Sequence, residues 1–202
     1  MRAGKIFAAV LSGFLQLSPA CLASTPLPLN PFDLKDPLVG EPAPELEIST
    51  WMNGEGVSLK ELRGKVVILE FFQLWCPGCN KFSIPLMKEW KKIFADEREI
   101  VFISIHTVFE GHRINSVKNL RIFIKKKKIT HLVGVDRHGR ESDIPVTMRR
   151  YRTGGTPCMD ILDKQGVIRF KYFGMYHKEP ITELIRHLLR EDTTAQKEPA
   201  ES

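Results

Sequence analysis

Seven consecutive positions, Val66-Val67-Ile68-Leu69-Glu70-Phe71-Phe72, are apolar except for one. An apolar run of that length without alternation predicts a strand buried on both faces, which requires a sheet covered by a layer on each side. Close behind it stands Trp75-Cys76-Pro77-Gly78-Cys79, and helical periodicity follows over 81–94. Strand, sharp turn and helix in that order place the two cysteines at a helix N-terminus. There the helix dipole and the unpaired backbone amides stabilise a thiolate on the first sulfur. Cys79 lies one helical turn on, within disulfide reach, so the pair can be joined and parted while the fold stays in place.

The rest of the chain supplies the layers. From Glu45, Leu46 and Ile48 alternate with polar neighbours, Asn53-Gly54 marks a turn, and 57–59 is expected to return as the second strand of an N-terminal β-hairpin. Ser58 and Glu61 have the spacing of a capping box over a short turn. Beyond the first helix, 100–105 reads as another two-sided apolar strand ending at His106, followed by a loop over 107–115. Ser116 caps a helix reaching Lys127, with Val117, Leu120, Phe123 and Ile124 on one face. A short strand over 132–135 and a brief helix over 144–151, with Pro145 in its first turn, come next. A hairpin of 158–162 and 167–173 turns at Asp163-Lys164-Gln165-Gly166, and Pro180 opens a last helix running to about Arg190. The order specifies an α/β fold with a central mixed β-sheet flanked by helices.

The ends of the chain have a different character. Arg2 and Lys5 precede an apolar run over 6–17, and small residues follow to Ala23, the pattern of an export signal cleaved after Ala23. That run is too short for a good membrane span. Cys21 is the alternative, as a lipid-modified N-terminus, although Ser18 stands where lipid-anchored precursors usually carry leucine. The chain thus divides into a signal peptide at 1–23, a proline-rich linker or extended wrap at 24–44, one folded domain at 45–191 and a polar, disordered tail at 192–202. Its 202 residues, 43% hydrophobic, suit one domain with a sizeable core. Of its four cysteines, Cys76, Cys79 and Cys158 fall in the domain. An exported cysteine pair faces an oxidising compartment, so a reduced working form needs an electron donor. The net charge of +6 is modest, and the basic run 125–128 at a helix end lacks interleaved aromatics. A solvated helix end explains that run, and nucleic-acid binding gains little support.

Phe71-Phe72-x-x-Trp75-Cys76-Pro77-Gly78-Cys79, then Gly155-Thr156-Pro157, then Ile161-Leu162-Asp163-Lys164-x-Gly166 together resemble the thioredoxin superfamily, in its exported redoxin branch of TlpA and ResA type. The resemblance spans about 42–189. A Cys-x-x-Cys alone also looks like half a zinc site, and the three motifs in this order narrow the choice. The resemblance implies a thioredoxin-like fold and a thiol:disulfide oxidoreductase of the bacterial envelope, working without a cofactor or metal. It implies a reductant of cysteines in other exported proteins, as in cytochrome maturation, recharged by a membrane-side donor. It also implies that Pro157 is cis, with Thr156 and Pro157 facing the disulfide and offering backbone hydrogen bonds to an extended substrate. Cis bonds before proline are the physically accessible ones, which agrees. Trp75 is expected to cover one side of the sulfurs, and Pro77 with Gly78 to tune the balance between their oxidised and reduced states.

In this reading Cys76 is the attacking thiolate and Cys79 resolves the mixed disulfide from a more buried position. Glu70 sits where the thioredoxin pattern has its buried aspartate. A carboxylate inside an apolar strand is costly to ionise, so its pKa should rise toward neutrality and let it exchange a proton with Cys79. Cys158 departs from the pattern. It is either a small buried residue opening a strand or a third sulfur that traps a disulfide or completes a soft-metal site with His106. His106 itself ends a strand at the expected active edge. His112, His131, His138, His177 and His187 show no ligand spacing and read as surface or packing residues. Two other functions share these features. One is a thiol peroxidase, although Gln73-Leu74-Trp75-Cys76 lacks the threonine of the Thr-x-x-Cys found there. The other is a metal-binding or delivery module built on the cysteine pair.

Overall fold

Every residue of β2 (Val66–Phe72) is buried, Glu70 included, and the sheet extends from it on both sides. The computed structural model describes residues 36–191. The export signal, Cys21, the first part of the proline-rich stretch and the 192–202 tail lie outside the described residues. In chain order the remaining elements are β1 (Ile48–Met52), α1 (Ile84–Ile93), β3 (Ile100–His106), α2 (Val117–Lys127), β4 (Leu132–Asp136), α3 (Val146–Arg150), β5 (Cys158–Leu162), β6 (Ile168–Phe173) and α4 (Lys178–Arg190). They form one mixed sheet of order β1-β4-β3-β2-β5-β6. Strands β2, β3 and β4 run parallel, with α1 and α2 as crossovers, while β1, β5 and β6 pair antiparallel.

The apolar residues of β2 alternate between two cores. Ile68 packs with Met87 and Trp90 of α1 and with Ile181, Ile185 and Leu188 of α4. On the same face Phe72 meets Leu120 and Ile124 of α2. Leu69 and Phe71 point the other way, toward Tyr151 just after α3 and toward Leu59 and Leu62. Two covered faces are why β2 carries no polar alternation.

The expected N-terminal hairpin is not formed. β1 pairs instead with β4, Trp51 opposite Gly134, and the 57–62 segment folds as a turn that plugs Leu59 into the second core. The reason is local hydrogen bonding. Glu61 Oε2 accepts the Ser58 N–H at 2.8 Å, and the Glu45 carboxylate accepts the Leu59 and Lys60 N–H groups at 2.9 Å each. Donors taken by side chains are not available to a strand ladder. Gly134 completes the choice, since a Cβ there would lie 3.0 Å from Ile48 Cδ1.

Elsewhere the boundaries move by small amounts. Ser116 does cap α2, accepting the Asn119 N–H. Pro145 is the cap of α3, and α4 begins two residues ahead of Pro180, whose missing N–H falls in the first turn where no donor is used. The proline-rich stretch, where described, lies along the sheet margin: Gly40 N–H donates to Ile168 O, Ile168 N–H to Glu41 O and Ala43 N–H to Gly166 O. That covers part of the open edge beside β6. Among the described residues no helix is long and apolar enough to cross a membrane.

Candidate active site

The chain leaves β2 at the carboxyl end of the parallel strands and turns sharply under side-chain control. Asn80 Nδ2 donates to the carbonyls of Leu74 and Cys76, at 2.8 and 3.0 Å. Asn115, from the loop after β3, accepts the Leu74 N–H at 2.9 Å. These two amides satisfy the Leu74 backbone, which neither strand nor helix pairs, and add a second donor to Cys76 O. The helix then starts with Asn80 N–H on Cys76 O, and the Cys79 N–H points at Cys76 Sγ at 3.2 Å. An amide donor at a helix start is placed to stabilise negative charge on that sulfur.

Both cysteines are in the dithiol form. Cys76 is 4% exposed and its thiol donates to Thr156 O at 3.3 Å, while Cys79 is fully buried. Burial, aided by the hydrogen bond with Cys76, pushes the Cys79 thiol up. The Thr156-Pro157 bond is cis, and the Pro157 ring presses on the turn: a Cβ on Gly78 would stand 2.8 Å from Pro157 Cδ. Glycine at this position therefore lets the two loops meet. Trp75 is about half exposed at 46%, its indole against Gly111 of the loop after β3, and Pro77 is exposed beside it.

From Cys79 to Ser83 the helix widens into a π-helical turn, with the Ile84 N–H on Cys79 O. Pro85 follows in the first turn of α1. Its ring and missing amide disfavour a regular α-turn just upstream, and the widened turn absorbs the misfit. Ser83, at the end of that turn, donates to Glu70 Oε1 at 2.5 Å. Ser104 of β3 donates to Oε2 at 2.5 Å, the register setting it directly beside Glu70. Burial pushes the Glu70 carboxyl up to about 7, against the pull of the two serine hydroxyls. Its charge also reaches the Cys79 thiol.

The pairing imagined for Cys158 and His106 is corrected by strand register. His106 lies beside Phe72, its ring 5.3 Å from that phenyl, on the face carrying α1 and α2. Cys158 lies opposite Phe71 on the other face. The sheet separates the two, and no joint metal site is assembled. His106 is fully buried, and burial holds it down to about 4 against the opposing pull of the nearby Asn115 side chain. Cys158 Sγ sits 3.8 Å from Asp160 Oδ2 and 3.7 Å from Lys171 Nζ, and burial pushes its thiol up. Among the described residues no three His, Cys, Asp or Glu side chains gather as a metal site.

Sequence reasoning passed over Asn80, Ser83, Ser104, Asn115 and His131. Ser104 has a signal: it is the polar break in the apolar run 100–105 ahead of His106, as Glu70 is in its own strand. His131 reads from spacing alone as a surface or packing residue. It is 5% exposed, and its Nε2 lies 2.7 Å from Ser104 Oγ.

Comparison with known proteins places this site in context. A family described as AhpC/TSA matches residues 39–171. The thioredoxin-like protein YneN of Bacillus subtilis is 29% identical over 140 residues, which cover 69% of this chain and 74% of that protein. The thiol-disulfide oxidoreductase ResA of Bacillus cereus is 27% identical over 143 residues, 71% of this chain and 74% of its own. Among solved structures, a thiol-disulfide isomerase from Corynebacterium glutamicum aligns with a TM-score of 0.69 at 37% identity, covering 74% of this chain and 98% of the other.

Proposed function

We propose, given that the chain belongs to the AhpC/TSA family and is a thioredoxin-like thiol-disulfide oxidoreductase of the ResA type, that it works in the bacterial envelope as a reductant of cysteines in other exported proteins. The observation that carries the reading is the pair itself. An outer sulfur receives an amide at 3.2 Å beside a cis-proline loop, and a fully buried sulfur stands behind it.

Cys76 thiolate attacks a client disulfide. The client S–S bond breaks, one client sulfur leaves with the electron pair and takes a proton, and Cys76 is held in a mixed disulfide. Cys79 then gives its proton to Glu70, attacks Cys76 Sγ, and the second client sulfur leaves in the same way. Two electrons pass from the pair to the client, and a membrane-side donor restores the dithiol. Thr156 and Pro157 present backbone to an extended client segment, with Trp75 and Pro77 flanking the approach. No cofactor enters this scheme. The leader at 1–23 supports export, and we favour the soluble form cleaved after Ala23 over lipid attachment at Cys21. In that form 45–191 is the working domain, led in by the 24–44 stretch and followed by the 192–202 tail.

A peroxidase reading is less favoured. The position three before Cys76 is Gln73, fully buried, in place of a threonine hydroxyl that would orient a peroxide. Redox titration of the Cys76/Cys79 couple, followed by thiol alkylation and mass, tests the direction of electron flow. A potential below about −220 mV is expected, and a value near about −120 mV would make the protein an oxidant. Insulin disulfide reduction, with peroxide consumption measured in parallel, tests the substrate class.

A further inference from the structure

Glu70 is fully buried and cannot pass a proton straight to water. Its two serine partners lead in different directions. Ser83 belongs to the turn that carries Cys79. Ser104 leads away, because its Oγ lies 2.5 Å from Glu70 Oε2 and 2.7 Å from His131 Nε2. The result is an unbroken row of hydrogen-bonding atoms from β2 through β3 to the residue preceding β4. At its far end His131 Nδ1 has no hydrogen-bond partner among the described residues. Thr130, next to it, is exposed and receives Lys91 Nζ at 2.8 Å. A histidine used only for packing would gain nothing from a buried, unpaired nitrogen.

We infer that Ser104 and His131 are the proton exit of Glu70, carrying to the surface beside Lys91 the proton that Cys79 releases when it resolves a mixed disulfide. The inference rests on Glu70 being the acceptor for Cys79, as proposed above. With Glu70 protonated, the row points outward: Glu70 O–H donates to Ser104, Ser104 O–H donates to His131 Nε2, and Nδ1 carries the ring proton. Each proton then moves one place. Glu70 becomes a carboxylate, Ser104 keeps one hydroxyl proton, Nε2 gains one, and the Nδ1 proton, shielded in the resting fold, passes to water when the exposed neighbour Thr130 gives way. The row now points inward, and re-reduction of the pair reverses it with one proton entering at Nδ1.

The surrounding charges suit a relay that does not store the proton. Lys91 of α1 faces His131, and together with burial it holds the imidazole down to about 4, so a cationic ring is transient. Around Glu70, Cys79 feels its charge from the helix start and Tyr176 from the stretch between β6 and α4. These are the groups whose titration accompanies the relay.

The test separates attack from resolution. Wild type carrying a thionitrobenzoate disulfide on Cys76 releases the coloured thiolate when Cys79 attacks, and stopped flow reads that step alone. His131→Gln keeps an amide near the Nε2 position for Ser104 but cannot pass a proton, and Ser104→Ala breaks the row. Both are expected to slow release at least tenfold and to change its pH profile, while the rate at which Cys76 first reacts with the reagent stays as in wild type. Added imidazole should restore part of the rate in His131→Gly. Release with the wild-type rate and pH profile in both His131→Gln and Ser104→Ala would overturn the exit. Glu70→Gln distinguishes the two readings. If it slows release while the other two variants do not, the exit alone is wrong, and if Glu70→Gln too matches wild type, Glu70 is not the acceptor. Should Ser104→Ala fail to fold, a proton inventory on wild type in mixed light and heavy water decides. A curved inventory, from several protons in flight, supports the row, and a linear one overturns it.

Discussion

Replacing Glu70 by glutamine should stabilise the reduced protein at neutral and alkaline pH, by an amount that the buried carboxyl itself dictates. Burial raises this group from 4.5 to about 7, so the native state holds a proton that the unfolded chain has already lost. Wherever the native state binds more protons than the unfolded one, stability falls as pH rises. That fall begins near pH 4.5 and is complete above pH 7. A shift of roughly 2.5 units at about 1.36 kcal/mol per unit comes to about 3 kcal/mol. Glutamine is neutral throughout and retains an acceptor and a donor for Ser83 and Ser104, whose hydroxyls can turn to suit.

The measurable quantity is the difference in unfolding free energy, variant minus wild type, from urea denaturation of both proteins as dithiols. It should be small at about pH 4 and climb to about 3 kcal/mol by about pH 8. The wild-type curve alone would mislead, because other buried groups titrate nearby. Asp160, raised to about 6, also costs stability as pH rises, whereas His106 and His131, held down to about 4, act in the opposite sense. These groups are present in both proteins and largely cancel in the difference. A difference that stays flat with pH, or that falls as pH rises, would refute the claim that Glu70 is a high-pKa acid in the folded dithiol.

Other perturbations follow from the geometry. Cys76→Ser should abolish insulin reduction, whereas Cys79→Ser should still attack and accumulate a mixed disulfide visible by intact mass. Gly78→Ala puts a methyl 2.8 Å from Pro157 Cδ, so the cis-proline loop must yield. A loss of about 1 to 3 kcal/mol in stability and a lower kcat/KM for peptide disulfides are expected, readable by denaturation and steady-state assay. Asn115→Ala leaves the buried Leu74 amide unpaired, at a cost of about 1 to 3 kcal/mol, and amide hydrogen exchange at Leu74 should accelerate. A Leu74 amide as protected as in wild type would show that the turn is held by other contacts.

Much of the site was legible because its parts lie close along the chain. Cys76 and Cys79 are joined by one helical turn, Ser116 caps the helix it precedes, and the lone carboxylate in 66–72 announces its own desolvation. Where two local signals competed, the hydrogen-bonded one prevailed: the cap at Ser58 and Glu61, with Glu45 behind it, overrode the strand pattern at 57–59. The Cys158 and His106 pairing failed for a different reason. Both residues do stand at strand ends, but being at the same edge of a sheet says nothing about which face a side chain takes.

From its residues alone this chain determined a doubly covered central strand, a helix starting at a cysteine pair, and an acid buried between apolar neighbours, since each depends on spacing within a few positions. Only the folded sheet decided which strands lie side by side and in what register. It set Ser104 next to Glu70 across 34 positions and His131 next to Ser104 across 27, and it put Cys158 and His106 on opposite faces. Periodicity tells a strand that it has two sides, but the identity of the neighbour on each side is a property of long-range pairing, and slipping that pairing by one residue would exchange every face.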